Sequence, residues 1–184
     1  TPTEQTCEAL FTSGESDAKF QRGSNGVGDP YFTNLGNGGY DVDRYLIDVE
    51  WEPGTGDLGG WTTIEAKTTE NLSSFNVDLN ANMAVSEVTV NGEEACFIRE
   101  GTEVTVVPVT NLPVGFEFEA RFTYTGKPGL VPAEYAPVAG GWYHQPWLSE
   151  GGICTSCIMY VLGEPSSSMA WHPVNDHPSD RAQF

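Results

Sequence analysis

"FEFEARFTYTG", residues 116–126, alternates strictly, with Phe116, Phe118, Ala120, Phe122 and Tyr124 on one side of the chain. A two-residue period sends successive side chains to opposite faces of an extended backbone, so the run reads as a strand with one face in a core and the other in water. "YLIDVEW", residues 45–51, repeats the pattern with Tyr45, Ile47, Val49 and Trp51. Between the two lie "GGWTTIEAKTT", "LSSFNVDLN", "AVSEVTVNGEEACFIRE" and "TEVTVVPV", rich in Thr and Val and separated by turn residues. Asn91-Gly92 suits a two-residue primed hairpin turn, because both residues accept a positive φ. No stretch carries a helical period, and seven or so closely spaced strands predict an all-β chain folded as an antiparallel β-sandwich.

The flanks read differently. Residues 1–25 are polar and irregular and are expected to form an N-terminal arm, leaving residues 26–184 as the sandwich domain. "GSNGVGDPYFTNLGNGGY", residues 23–40, is dense in glycine and asparagine, so regular structure is expected to begin near Tyr40. After Gly126 the prolines and glycines of "KPGLVPAEYAPVAGGWYHQPWLSEGG" suggest long loops laid over the sandwich, followed by one short apolar strand, "CIMYVL". Such loops are the usual carriers of function.

A chain of 184 residues with 39% hydrophobic and 11% aromatic content builds one domain with a real core. Its 26 acids against 8 bases give a net charge of -18. That charge repels nucleic acid and anionic membrane surfaces and favours cationic ligands. No run approaches the roughly 18 apolar residues that span a bilayer, and "TPTEQTCEAL" lacks the basic-then-apolar order of a signal peptide. Four cysteines in so lysine-poor a chain suit a secreted, disulfide-bearing protein. They allow three pairings, of which Cys7 with Cys96 and Cys154 with Cys157 is the expected one. The Cys154–Cys157 spacing is also that of redox and zinc pairs. Redox pairs open a helix, however, whereas this one runs into an apolar strand, and no second such pair exists to complete a zinc knuckle.

"GEPSSSMAWHPVNDHPSD", residues 163–180, concentrates titratable and aromatic side chains. His172 and His177 are five apart and each precedes a proline, which disfavours the helical His pair of a zinc peptidase. Asn175, Asp176, Ser179 and Asp180 are residues that bond their own backbone in turns, so Asp176, His177 and Asp180 read as structural. Glu164 stands apart. No Lys or Arg occurs between Pro128 and Asp180, while all three histidines and Trp142, Trp147 and Trp171 do. Buried among such aromatics, the Glu164 carboxylate lacks a partner, and an amine ligand would supply one. The other reading leaves it solvated, or paired with a distant base such as Arg44 or Arg121. No catalytic triad, phosphate loop or dinucleotide fingerprint appears.

"GDPYFTNLGNGGYDVDRYLIDVEWEPGTGDLGGWTTIEAKTTENLSSFNVDL", then "VSEVTVNG", then "GEPSSSMAWHPVNDHPSD", resemble the N-terminal domain of the aminopeptidase N family of zinc metallopeptidases, in its secreted actinobacterial form. The resemblance runs from about Gly26 to Phe184. It implies a saddle-shaped β-sandwich that packs on a thermolysin-like catalytic domain and closes one side of its cleft. It also implies that Glu164 binds the free α-amino group of peptide substrates and that Met159 and Tyr160 help shape the pocket for the first side chain. The family's His-Glu-x-x-His zinc helix is absent from these residues, so the resemblance places zinc and the catalytic residues in a further domain and makes the chain alone inactive. The competing expectation is a stand-alone secreted module that binds carbohydrate or protein through Trp142, Tyr143, Trp147 and Trp171.

Overall fold

The structure, a computed structural model, describes residues 19–132, 137–148 and 154–184. In chain order the strands are β1 (Gln21–Arg22), β2 (Tyr40–Glu52), β3 (Asp57–Thr68), β4 (Leu72–Asp78), β5 (Met83–Val90), β6 (Glu93–Glu94), β7 (Cys96–Glu100), β8 (Glu103–Val107), β9 (Glu117–Gly126), β10 (Leu130–Val131), β11 (Gly140–Leu148) and β12 (Cys154–Leu162). They form a five-stranded sheet in the order β2-β3-β9-β5-β6, a four-stranded sheet β1-β4-β8-β7 and a three-stranded sheet β10-β11-β12. All pairs are antiparallel except the two-residue contact of β1 with β4. The sandwich read from the sequence is the observed fold.

The alternation in residues 116–126 becomes β9, the middle strand of the large sheet, flanked by β3 and β5. Phe118, Ala120, Phe122 and Tyr124 are buried, but Phe116 precedes the strand and is 43% exposed. In β2 the phase changes once. Tyr40 and Val42 face inward, the register slips between Val42 and Arg44, and Tyr45 then resumes the inward face. An inserted residue has this effect because side chains alternate strictly along a strand. Asn91 (φ 52) and Gly92 (φ 81) join β5 to β6 with Val90 opposite Glu93, the two-residue primed turn expected there.

The core lies between the five- and four-stranded sheets. Phe75 of β4 meets Tyr40 at 5.9 Å and Phe118 at 5.2 Å, and the Tyr40 hydroxyl donates to the Asn76 carbonyl at 2.6 Å, so ring packing and a hydrogen bond tie the layers together. Arg99 of β7 knits the edge, its guanidinium donating to the carbonyls of Leu79, Asn80, Met83 and Gly101.

The segment after Gly126 departs from expectation. In place of long loops with one short strand, β11 and β12 pair as a hairpin from Gly141 opposite Leu162 to Leu148 opposite Cys154. The prolines and glycines misled the reading: Pro146 lies within β11, and Gly140 and Gly141 begin it. The hairpin docks through Trp142, which is 7% exposed and lies 5.9 Å from Trp51 of β2. Trp51 also meets His144 edge-on at 4.8 Å.

Candidate functional site

The candidate site is the turn that follows β12. The Ser167 amide donates to the Gly163 carbonyl at 2.8 Å, and a 3-10 turn, Ser168–Ala170, leads into Trp171 and His172. Glu164 sits at the exposed start of this turn, and the Glu164–Pro165 peptide bond is cis. The carboxylate is therefore in water rather than buried among aromatics, which corrects the burial reading of Glu164. The two bases weighed as its partners are engaged elsewhere: Arg44 pairs with Glu65 at 2.8 Å, and Arg121 lies 4.0 Å over the Trp61 ring.

The most buried carboxylate of this region is Asp176, 6% exposed. Its Oδ2 accepts the Met169 amide at 3.2 Å, and its own amide donates to Asp78 Oδ2 at 3.1 Å. Asn37 Nδ2 donates to the same Asp78 oxygen at 2.9 Å. Asn175 closes the knot: its Oδ1 accepts the Asn37 amide at 2.7 Å, its Nδ2 donates to the Asn37 carbonyl at 3.0 Å, and its amide donates to the Tyr45 hydroxyl at 3.0 Å. Backbone bonds between Asp78 and Val174, and from the Asn80 amide to the Met169 carbonyl at 2.8 Å, fasten the whole turn to the end of β4.

Acidic groups gather here, and the hydrogen bonds to Asp78 and Asp176 among the described residues come from amide donors rather than from a base. Burial raises Asp78 to about 6. Burial, with Asp78 and Glu164 adding repulsion, raises Asp176 to about 7. Glu103, directly opposite Asp78 on β8, is raised to about 8 by burial and by Asp78. Sequence reading missed Asn37, Asp78 and Glu103. The signal for Asn37 was present in "GNGG": Gly36 has φ +69, and a side chain there would meet His177 Cβ at 2.5 Å, so glycine lets the loop lie against the turn.

The histidines are spent on structure. His172 is buried with Nδ1 against the Pro173 carbonyl at 2.9 Å, and its ring packs on Trp171 at 4.4 Å and Tyr45 at 5.6 Å. Burial lowers it to about 4. His177 Nδ1 bonds Ser179 Oγ at 2.7 Å, and the Asp180 amide donates to the His177 carbonyl at 3.0 Å. Among the described residues no three His, Cys, Asp or Glu side chains come together as a metal site.

Ile158, Met159, Tyr160, Val161 and Leu162 are all exposed, along a strand that forms the edge of its sheet. Met159 stands opposite His144, and Tyr160 stacks on Tyr143 at 4.7 Å with rings 5° from parallel. Successive strand residues face opposite ways, so the hairpin sends Met159 and Tyr160 to opposite faces. The flat tryptophan platform of the binding-module reading is not formed by Trp142, which is buried against Trp51 and Trp171. Cys96 is buried at the start of β7; Cys7 lies outside the described residues, as do the side chains of Trp147, Cys154 and Cys157.

No family model and no curated protein matches the chain. Solved structures do. The M1 zinc metallopeptidase from Deinococcus radiodurans is 31% identical, with a TM-score of 0.69 over 85% of this chain and 34% of that one. A mutant of that enzyme bound to a Tyr-Ser-Ala substrate is 32% identical with the same TM-score and coverage. Native leukotriene A4 hydrolase from Saccharomyces cerevisiae, at 14% identity and a TM-score of 0.57 over 78% of this chain and 22% of that one, shares the fold. The chain spans about a third of the length of the first two. Its structure neighbours, matched over 85% of its residues, are thus M1 zinc metallopeptidases, of the group that holds aminopeptidase N and leukotriene A4 hydrolase.

Proposed function

We propose that the chain is the N-terminal domain of a zinc metalloaminopeptidase and that it helps to hold the free α-amino group of a peptide while a separate catalytic domain cleaves the first peptide bond. The observation that carries this reading is the 31–32% identity to the Deinococcus metallopeptidases over 85% of the chain, including a substrate-bound form. The local chemistry supports it. Glu164 is an exposed carboxylate on a turn fastened to the sandwich core, free to meet an ammonium group once a second domain covers it. Such a pair gains strength when a closing domain excludes water. One face of the exposed apolar run of β12 is a surface that a catalytic domain would cover. The zinc of that domain would supply an activated water. Glu164 would fix the substrate so that its first peptide bond lies at the metal, and a blocked N-terminus would leave the carboxylate unpaired. A secreted location and a Cys7–Cys96 bridge belong to the same proposal; the bridge is supported by the absence of a free thiol among the described cysteines.

Replacing Glu164 by Gln or Ala in the complete enzyme is expected to lower kcat/KM on unblocked peptides roughly 30-fold or more, the cost of removing one partner of a desolvated charge pair. Unchanged kinetics on unblocked peptides would sink the assignment of Glu164.

A further inference from the structure

We infer that Asp176 is a positioning residue for the Glu164 turn, and that protonation of the Asp176–Asp78 pair clamps this turn to the end of β4. The clamp itself is a property of this chain; its consequence for substrate rests on the role proposed for Glu164.

The geometry makes Asp176 the link. Its carboxylate receives the Met169 amide from the 3-10 turn, while its own amide is held by Asp78 Oδ2 on β4. The turn that begins with Glu164 therefore reaches β4 through the Asp176 carboxylate, which holds the Met169 amide, and the Asp176 amide, which is held by the Asp78 carboxylate. The groups facing the pair are Glu103 from β8, Glu164 from the turn, and Tyr40 and Tyr45 from β2. The neutral partners are Asn37 and Asn175. Of the nearby histidines, His172 is bonded to the Pro173 carbonyl and kept neutral by burial, and His177 is bonded to Ser179 with Nε2 4.0 Å from Asp29. Among the described residues the hydrogen bonds to the two carboxylates come from the Asn37 side chain and the Met169 and Asp176 amides rather than from a base, so the low-cost way to bury the pair is to keep protons on it.

The sign follows. Asp176 and Asp78 are raised to about 7 and about 6 in the closed turn, whereas solvated carboxylates titrate near 4. The closed state thus holds more protons than the open one across pH 4 to 7, and the clamp is complete at the acid end and weakens as pH rises through this window. Each proton retained by the closed state and released by the open state raises the opening equilibrium about tenfold per pH unit. At pH 8 the ionised pair repels and opening is at its largest.

Amide hydrogen exchange on this chain from pH 5 to pH 8, corrected for the intrinsic exchange rate, tests the clamp without reference to activity. Protection of the Met169, Val174 and Asp176 amides is expected to fall at least tenfold across the range, while that of Phe122 in β9 falls less. In Asp176→Asn, which keeps an acceptor for the Met169 amide but cannot ionise, the slope at Met169 is expected to lose about one proton. A wild-type slope no steeper at Met169 than at Phe122 overturns the inference, as does an unchanged slope in Asp176→Asn. The wild-type measurement stands even if that variant folds poorly. Glu164→Gln is expected to leave most of the slope in place. A steep slope combined with unaltered kinetics in that variant would therefore remove the amine-binding role and leave the clamp.

Discussion

Phe116 and Phe122 occupy equivalent places in the alternation of "FEFEARFTYTG", yet the structure separates them: Phe122 is 0% exposed and Phe116 43%. Phe122 stands between Thr62 of β3 and Val88 of β5, in the middle strand of the large sheet. Truncating its ring to a methyl group loses the full transfer free energy and leaves a cavity that flanking strands fixed by ladder hydrogen bonds cannot close. Phe122→Ala is therefore expected to cost about 3–5 kcal/mol. Phe116 retains nearly half its surface in water, and its backbone anchor, the amide donated to Thr68 Oγ1 at 2.9 Å, survives the substitution. Phe116→Ala is expected to cost about 1 kcal/mol or less. Urea unfolding followed by tryptophan fluorescence reads both, with a midpoint shift at constant slope as the sign of a change in stability alone. In thermal terms the Phe122 variant should melt about 6–20 °C lower, using the roughly 2–4 °C per kcal/mol of a domain this size. A loss below about 1.5 kcal/mol at Phe122, or equal losses at the two positions, would refute the placement of the core about β9.

Two further outcomes follow from single groups. His172, held neutral by burial at a value of about 4, is expected to show no imidazole titration by NMR above about pH 5; a midpoint near 6.5 would mean that the ring is solvated and the Trp171–His172–Tyr45 packing wrong. Because its folded value lies below its unfolded one, His172 contributes stability that is present above about pH 6.5 and lost as pH falls toward 4, opposite in sign to the Asp176–Asp78 pair. Peptide mapping without reduction is expected to recover Cys7 and Cys96 in one linked peptide, and recovery of either as a free thiol would exclude the bridge.

The sandwich was legible in residues 40–126 because a half-buried strand writes its environment into every second residue, and because Asn91-Gly92 states its own turn. The family resemblance was legible in the motifs around Glu164. The β11–β12 hairpin was not: a strand containing Pro146 and starting at two glycines carries the local marks of a loop, and only pairing across the hairpin makes it a strand. Local sequence also identified Asp176 and His177 as turn residues but could not show what the turn rests on. Asn37, Asp78 and Asp176 are separated by 41 and 98 residues in the bonds that join them. No periodicity spans such intervals, and each residue taken alone is an ordinary polar one. The sequence by itself determined strand periods, hairpin chemistry and the acidic charge, since these depend on neighbours a few residues apart. The tertiary structure alone decided which carboxylate is buried and which is exposed, because desolvation is set by the atoms that fold around a group, and here Asp176 is covered while Glu164 is left in water.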